Sequence, residues 1–574
     1  MNALRTLTAF LILANLPAMA ARPYRGGAIA TAYAEASEAG LSMLNQGGNA
    51  VDAAVAAAFA AGVAGPYHNG IGGGGFALIY DAKRKQSRIL DFREVAPARA
   101  SHDMFLRDGK AVPALSRDGP SSVAVPGAVA GYLTLLRQFG RLKPSVVLAP
   151  AIRLARRGIW VTPKYRMMAS VRLACLRAYP ESARLFLRPN GQGEPDVPAL
   201  STLLPNRDLA NTLARIAVEG ESAFYRGRTA AAMESAVKDG GLLTQEDLRA
   251  FRVRWREPLA SHYRGHRILT VPLPSAGGVT VLQVLGQLEL LTPAGFARGD
   301  VDATHTLIEA MRRSYLDRAK EMGDPGLGND ALARLVSAEH VKMLAQSINK
   351  GQASDSAALW SGTALAPPST PAAPPPPKNT THLSVIDREG NAVALTTTIN
   401  YAFGSCVVAK GTGILLNDEM DDFAAQPMTP NVYGLVTGEA NSVAPGKVPL
   451  SSMSPTLVFQ KEHPDAVQLA VGAPGGPTIP TAVLQVISNV VDQKMDIVRA
   501  VAAGRIHHQW LPDVVMKEAW ALDPQTQRAL EAMGHHFKNV DVLGDTESVY
   551  VDPLSQLRYA ASDPRGEGAS MGQD

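Results

Sequence analysis

The tract Ala366–Asn379, APPSTPAAPPPPKN, constrains this chain more than any other stretch. Proline has no amide hydrogen, and its ring clashes with a preceding helical turn. The tract therefore cannot pack as a helix or a central strand. It reads as an extended, solvated linker that divides the 574 residues into two unequal parts. Directly after it, Thr380–Asp387 and Asn391–Thr398 read as two β-branched strands. Between them, Arg388-Glu389-Gly390 is a three-residue hairpin loop with glycine last, where a left-handed backbone is wanted. If Asp387 opposes Asn391, counting back along both strands brings Thr380 opposite Thr398. Directly opposed side chains lie about 5 Å apart, and a slip of one residue would break the pairing.

Two readings of that threonine pair are open. One is a cross-strand pair that stabilises a sheet edge. The other is an N-terminal nucleophile. If the chain is cut between Asn379 and Thr380, Thr380 gains a free α-amine. A hydroxyl needs a base to become a useful nucleophile. An α-amine titrates near 8, far below a lysine side chain, so it can serve as that base near neutral pH. One residue then supplies both groups.

The rest of the chain sets the context. Residues 1–20 read as a signal peptide: Arg5 is the only charge, Leu7–Leu16 are largely apolar, and Ala18-Met19-Ala20 offer a cleavage site after Ala20. A secreted or periplasmic product is expected, with no membrane span after signal removal. Cys175 and Cys406 could pair in that oxidising setting or remain two buried thiols. Two cysteines exclude a disulfide scaffold and a four-cysteine zinc site. A net charge of +4 argues against a nucleic-acid partner. The 46% hydrophobic content suits a large core. Helices are expected at Ala36–Leu44, Asn49–Val63, Val279–Leu291, Thr304–Met322, Ala331–Asn349 and Thr481–Asp492. Strands are expected at Phe76–Tyr80, Ser87–Phe92, Gly413–Leu416, Thr456–Phe459 and Val467–Val471. Together these favour a layered α/β fold.

Some signals are set aside. Gly70–Gly75, GIGGGG, matches a dinucleotide motif but leads into a strand rather than a helix. Gly568–Gly572, GASMG, matches a serine-hydrolase motif, yet only two residues follow it. His507-His508 and His535-His536 are adjacent pairs, which point to opposite faces of a strand, so no metal is expected. His382 reads as a structural imidazole.

The landmarks GGNAVDAAVA (Gly47–Ala56), GGGGF (Gly72–Phe76), DFRE (Asp91–Glu94) and PSAGG (Pro274–Gly278) resemble those of the γ-glutamyltransferases, or glutathione hydrolases. So do TTHLSV (Thr380–Val385), NDEMDDF (Asn417–Phe423), NVYGL (Asn431–Leu435), PLSSMSPT (Pro449–Thr456), PGG (Pro474–Gly476) and RIHHQWLPD (Arg505–Asp513). These enzymes belong to the N-terminal nucleophile hydrolases. The resemblance implies a four-layer αββα sandwich built jointly by two subunits of one precursor. Here these would be a large subunit, 21–379, ending in the linker 366–379, and a small catalytic subunit, 380–574. It implies that Thr380 is the nucleophile, that Thr398 hydrogen-bonds it, and that the amides of Gly475 and Gly476 form the oxyanion hole. It further implies that Arg93, Ser451 and Ser452 grip the donor's α-carboxylate, and that Asp422, Glu419 and Asn400 bind its α-ammonium. Gln426–Gly438, with Tyr433, resembles the lid over the pocket. The implied donors are glutathione and other γ-glutamyl compounds, the acceptors water, amino acids or dipeptides, and no cofactor is needed. Pro477-Thr478 departs from the polar residues that follow PGG in bacterial relatives, and the proline-rich stretch before Thr380 is also unusual. Two other readings stay open: a glutaryl-type cephalosporin acylase or other amidase of the same fold, and an unprocessed, catalytically silent chain that only binds γ-glutamyl peptides.

Overall fold

The computed structural model describes residues 22–327, 331–360, 379–431 and 434–574. The signal peptide, nearly all of the proline tract and Tyr433 lie outside the described residues.

Two seven-stranded antiparallel sheets form the centre. Their strands, numbered along the chain, are β1 (Pro23–Tyr24), β2 (Ala28–Thr31), β3 (Gly74–Asp81), β4 (Gln86–Asp91), β5 (Arg254–Arg256), β6 (Leu259–Tyr263) and β7 (His266–Thr270). They continue as β8 (Thr381–Ile386), β9 (Ala392–Thr398), β10 (Thr456–Phe459), β11 (Val467–Gly472), β12 (Glu547–Val551), β13 (Arg558–Ser562) and β14 (Ala569–Gly572). One sheet runs β5-β4-β3-β9-β8-β2-β14, and the other β1-β13-β12-β11-β10-β7-β6. The main helices are α1 (Ala34–Asn45), α2 (Ala50–Ala64), α3 (Ala128–Phe139), α4 (Ala276–Leu291), α5 (Val301–Glu321) and α6 (Ile479–Val491).

Side-chain alternation along the strands builds four layers. Leu383 and Val385 of β8, with Val393 and Leu395 of β9, pack outward into a core shared with α1 and α2. Their neighbours Ile386, Ala392 and Ala394 face inward, against Leu457, Phe459, Ala470 and Val549 of the second sheet. Beyond that sheet, α4, α5 and α6 pack on Val458, Leu469 and Val471. The order is helix, sheet, sheet, helix, as the family resemblance implies. Strands buried on both faces explain their near-continuous apolar runs.

The hairpin has the register read from its loop. Thr381 pairs with Thr397 and Ile386 with Ala392. Gly390 has φ 87°, and Asp387 Oδ1 accepts from the amides of Glu389 and Asn391. One expected helix differs: Ala331–Asn349 is two helices, Ala331–Leu335 and Ala338–Gln346. Ser337 interrupts it, because its hydroxyl accepts from the His340 amide and caps the second helix. The expected strand Gly413–Leu416 shortens to Ile414–Leu415. The two cysteines form a disulfide, Cys175–Cys406, with Cα atoms 6.0 Å apart.

The motif GGNAVDAAVA is a helix start. Asn49 and Asp52 form a capping box at α2. Asp52 is fully buried and also accepts from the amides of Arg141 and Leu142. Asp52→Ala therefore removes the acceptor of three backbone N–H groups, those of Asn49, Arg141 and Leu142. The expected loss is about 3 kcal/mol, read as an earlier denaturant midpoint with an unchanged slope. An unaltered midpoint would contradict this bracing role.

Candidate active site

The sequence-predicted residues come from separate elements that end at one edge of the sandwich. Arg93 follows β4, Thr380 precedes β8, and Thr398 closes β9. Asn400 lies just beyond, and Glu419–Asp422 form a single 3-10 turn. Ser451 and Ser452 precede β10, and Gly476 lies between β11 and α6. Glu419 and Asp422 of that turn and the seven other residues named border one cleft, together with Asn379.

Thr380 is buried, and its hydroxyl donates to Thr398 Oγ1 at 3.3 Å. The Asn400 amide donates to the same Thr398 oxygen at 2.9 Å. Thr398 is thus pinned from both sides. The glycine run ahead of β3 makes this possible, since a Cβ on Gly73 would lie 1.9 Å from the Thr398 carbonyl oxygen. Thr380 has φ 130°, a conformation that strains a β-branched residue. Strain therefore sits at the junction with Asn379, whose buried side-chain amide has no hydrogen-bond partner among the described residues.

The charged part of the cleft is paired internally. The Arg93 guanidinium is fully buried and donates to Glu419 Oε1 through Nη1 and to Asp422 Oδ2 through Nη2. Burial opposes its charge, but Glu419, Asp422 and Glu94 together raise its pKa. Burial pushes the Glu419 carboxyl up to about 7, against the pull of Arg93. Beside it, burial and the Glu419 charge hold Glu94 well above the usual carboxylate range. Ser451 Oγ accepts from the Met453 amide, and its backbone is tied to Pro274 and Ala276 of the PSAGG motif.

Gly476 borders the cleft, whereas Gly475 borders a separate cavity, with Asp545 and Lys164. The Met428 and Asn431 amides donate to the Thr437 and Leu435 carbonyl oxygens, and Leu435 borders the cleft. His382 is buried between Thr396 and Ser384, away from the cleft lining, and burial lowers its pKa to about 3. It is a neutral structural imidazole, as the sequence reading expects.

Two residues at the site were not foreseen. Glu94 adjoins Arg93 in DFRE and contacts it at 3.6 Å. Arg318 of α5 borders the cleft, and its Nε and Nη1 have no hydrogen-bond partner among the described residues. Its signal in sequence is one basic residue in a helix dense with charges, which reads as a solvated face.

The gamma-glutamyltranspeptidase family model matches residues 36–573. The chain belongs to the gamma-glutamyltranspeptidase family. It is accordingly an enzyme of the N-terminal nucleophile hydrolase type. It is 39% identical to a glutathione hydrolase proenzyme of Escherichia coli strain K12, covering 94% of this chain and 90% of that one. It is 35% identical to the acylase ACY 1 proenzyme of Pseudomonas sp. strain V22, covering 93% and 91%. The crystal structure of a cephalosporin acylase from Bacillus halodurans superposes with a TM-score of 0.82 at 27% identity, covering 97% of each chain. The chain's relatives thus include proteins named as glutathione hydrolases and proteins named as acylases.

Proposed function

We propose that this chain is an exported γ-glutamyltransferase and glutathione hydrolase that frees its own nucleophile by cutting the Asn379–Thr380 bond. One observation carries the reading: a strained threonine at the linker junction shares a small cleft with a buried guanidinium and two carboxylates. A γ-glutamyl group carries an α-carboxylate and an α-ammonium. Arg93 suits the first through its planar fork of donors, with the Ser451 and Ser452 hydroxyls beside it. Asp422 and Glu419 suit the second, with Asn400 alongside. A donor that binds both poles replaces the Arg93–carboxylate pairs with equivalent charged contacts, so no buried charge is left alone.

In this reading Thr380 Oγ first attacks the Asn379 carbonyl, and water resolves the resulting ester. The cut yields a large subunit of residues 21–379 and a small subunit of 380–574, which stay together. In turnover the new α-amine takes the hydroxyl proton as Oγ attacks the donor's γ-carbonyl carbon. The Gly476 amide faces the oxyanion. Collapse breaks the C–N bond, and the departing amine of cysteinylglycine takes the proton. Water or an amino acid or dipeptide acceptor then attacks the γ-glutamyl ester and restores Thr380. Export is supported by the apolar segment and A-x-A site in residues 1–20. Among the described residues no helix is long and apolar enough to cross a membrane.

The relatives named as acylases favour a second reading, cleavage of a glutaryl amide, which has the carboxylate but no ammonium. A side-by-side assay of γ-glutamyl-p-nitroanilide and glutaryl-p-nitroanilide separates them. A kcat/KM at least about tenfold higher for the γ-glutamyl compound is expected. The reverse preference would replace the first reading by the second.

The disulfide adds an expected result. Cys175 lies before the cut and Cys406 after it, so cleavage leaves the fragments covalently joined. On a denaturing gel the mature protein should run as one band without reductant and as two with it. Two bands without reductant would show that the bond does not form.

A further inference from the structure

The turn Pro474-Gly475-Gly476-Pro477-Thr478 carries a brace that the reaction itself does not use. Gly475 has φ 139° and Gly476 φ 55°, both in the left-handed half of the map that glycine enters freely. Glycine freedom alone would leave this turn loose. Thr478 restrains it, since its amide and its hydroxyl both donate to the Gly475 carbonyl, at 3.2 Å and 2.9 Å. The Gly475 carbonyl and the Gly476 N–H belong to the same planar trans peptide, and in such a unit they point in opposite directions. Fixing the carbonyl on one side therefore fixes the N–H on the other. The lining agrees with this orientation, because Gly475 and Gly476 border different cavities and that of Gly476 is the cleft that holds Thr380.

A second contact holds the far end of the turn. The buried Tyr315 hydroxyl of α5 donates to the Pro477 carbonyl oxygen. Its ring packs edge-on to His507, with centroids 5.4 Å apart. His507 Nδ1 in turn shares a hydrogen bond with Thr481 Oγ1, which donates to the Thr478 carbonyl. Pro477, with its ring-fixed φ, joins the two restraints. Pro477 and Thr478 are thus residues that stiffen the turn.

We propose that Thr478 and Tyr315 are positioning residues that hold the Gly476 N–H toward the tetrahedral oxyanion formed at Thr380. Neither touches the reacting atoms. The proposal rests on the nucleophile assigned above, but not on which acyl group is transferred, because an oxyanion forms with either.

The test uses the processed enzyme with Thr478→Val and Tyr315→Phe, which remove the hydroxyls and keep the shapes. Processing is first checked by mass, and kcat and KM are then measured on γ-glutamyl- and glutaryl-p-nitroanilide. A preorganised oxyanion donor acts in the transition state and not in the ground state. The expected result is a kcat about 10- to 100-fold lower in each variant, with KM within about twofold, on whichever substrate the wild type prefers. Affinity for a tetrahedral phosphonate analogue of that acyl group should fall by a similar factor, while affinity for the free acid product stays unchanged. Wild-type kcat in both variants would overturn the proposal while leaving the nucleophile assignment intact. A parallel loss of product and analogue affinity would also overturn it, by showing a structural role only. Absence of turnover of either anilide by the wild type would overturn both the proposal and the assignment beneath it.

Discussion

Thr380→Ala should yield a single uncut chain of full mature length with no measurable acyl transfer. The substitution removes one hydroxyl and one methyl from a buried residue in the cleft, so the fold is expected to survive. It nevertheless deletes the nucleophile for both steps. Without the hydroxyl the Asn379–Thr380 bond is not attacked, and without the cut there is no α-amine to act as base. The two losses share one cause, so kcat/KM is expected to fall by at least about 10⁴-fold. Thr380→Ser keeps both groups and should still cut, more slowly, because the methyl that restricts the side chain's rotamers is gone. Intact mass reports the cut, and a γ-glutamyl anilide assay reports turnover. A cleaved and active Thr380→Ala protein would mean that another residue is the nucleophile.

The second large effect is one of specificity. Asp422 pairs with Arg93 Nη2 at 2.5 Å, and 18% of its side-chain surface is exposed. In the proposed complex it receives the donor's ammonium. Asp422→Ala removes that acceptor but leaves Arg93 paired with Glu419. A charged hydrogen bond lost from a desolvated site costs about 3 kcal/mol or more, because the buried ammonium loses one of its two carboxylate partners. The γ-glutamyl kcat/KM should therefore fall by about 10²- to 10³-fold. A glutaryl amide presents no ammonium, and its rate should change by less than about threefold. Equal losses on both substrates would mean that Asp422 acts by holding Arg93 in place. No loss on either would remove it from the ammonium cluster.

The Thr380–Thr398 pair was legible because a three-residue loop sets the register of a hairpin, and register carries along both strands. The Ala-rich helix starting at Asn49 was legible for a similar local reason, its capping box. Other features depend on contacts that no local pattern encodes. Arg318 belongs to a helix whose run of charges suggests a wet surface, yet from Ala303 to Ala319 that helix is buried. Within it Arg312 and Arg313 pair with Glu309 in the core. The same holds for Arg93 and Asp422, which are 329 positions apart but share a salt bridge. Their family context named them as opposite poles for a substrate, and it did not say that the poles would meet. The two glycines of PGG read alike in sequence, and only the folded turn sets them against different cavities. The disulfide was open for the same reason, since a separation of 231 residues says nothing about distance.

The central claim is that Thr380 becomes a chain terminus with a free amine. The most direct test is the intact mass of the purified, reduced protein, combined with sequencing of any new N-terminus. Two fragments, the smaller beginning at Thr380 and ending at Asp574, are the predicted result. A single folded chain running through the Asn379–Thr380 bond would leave the hydroxyl without its base and would contradict the account.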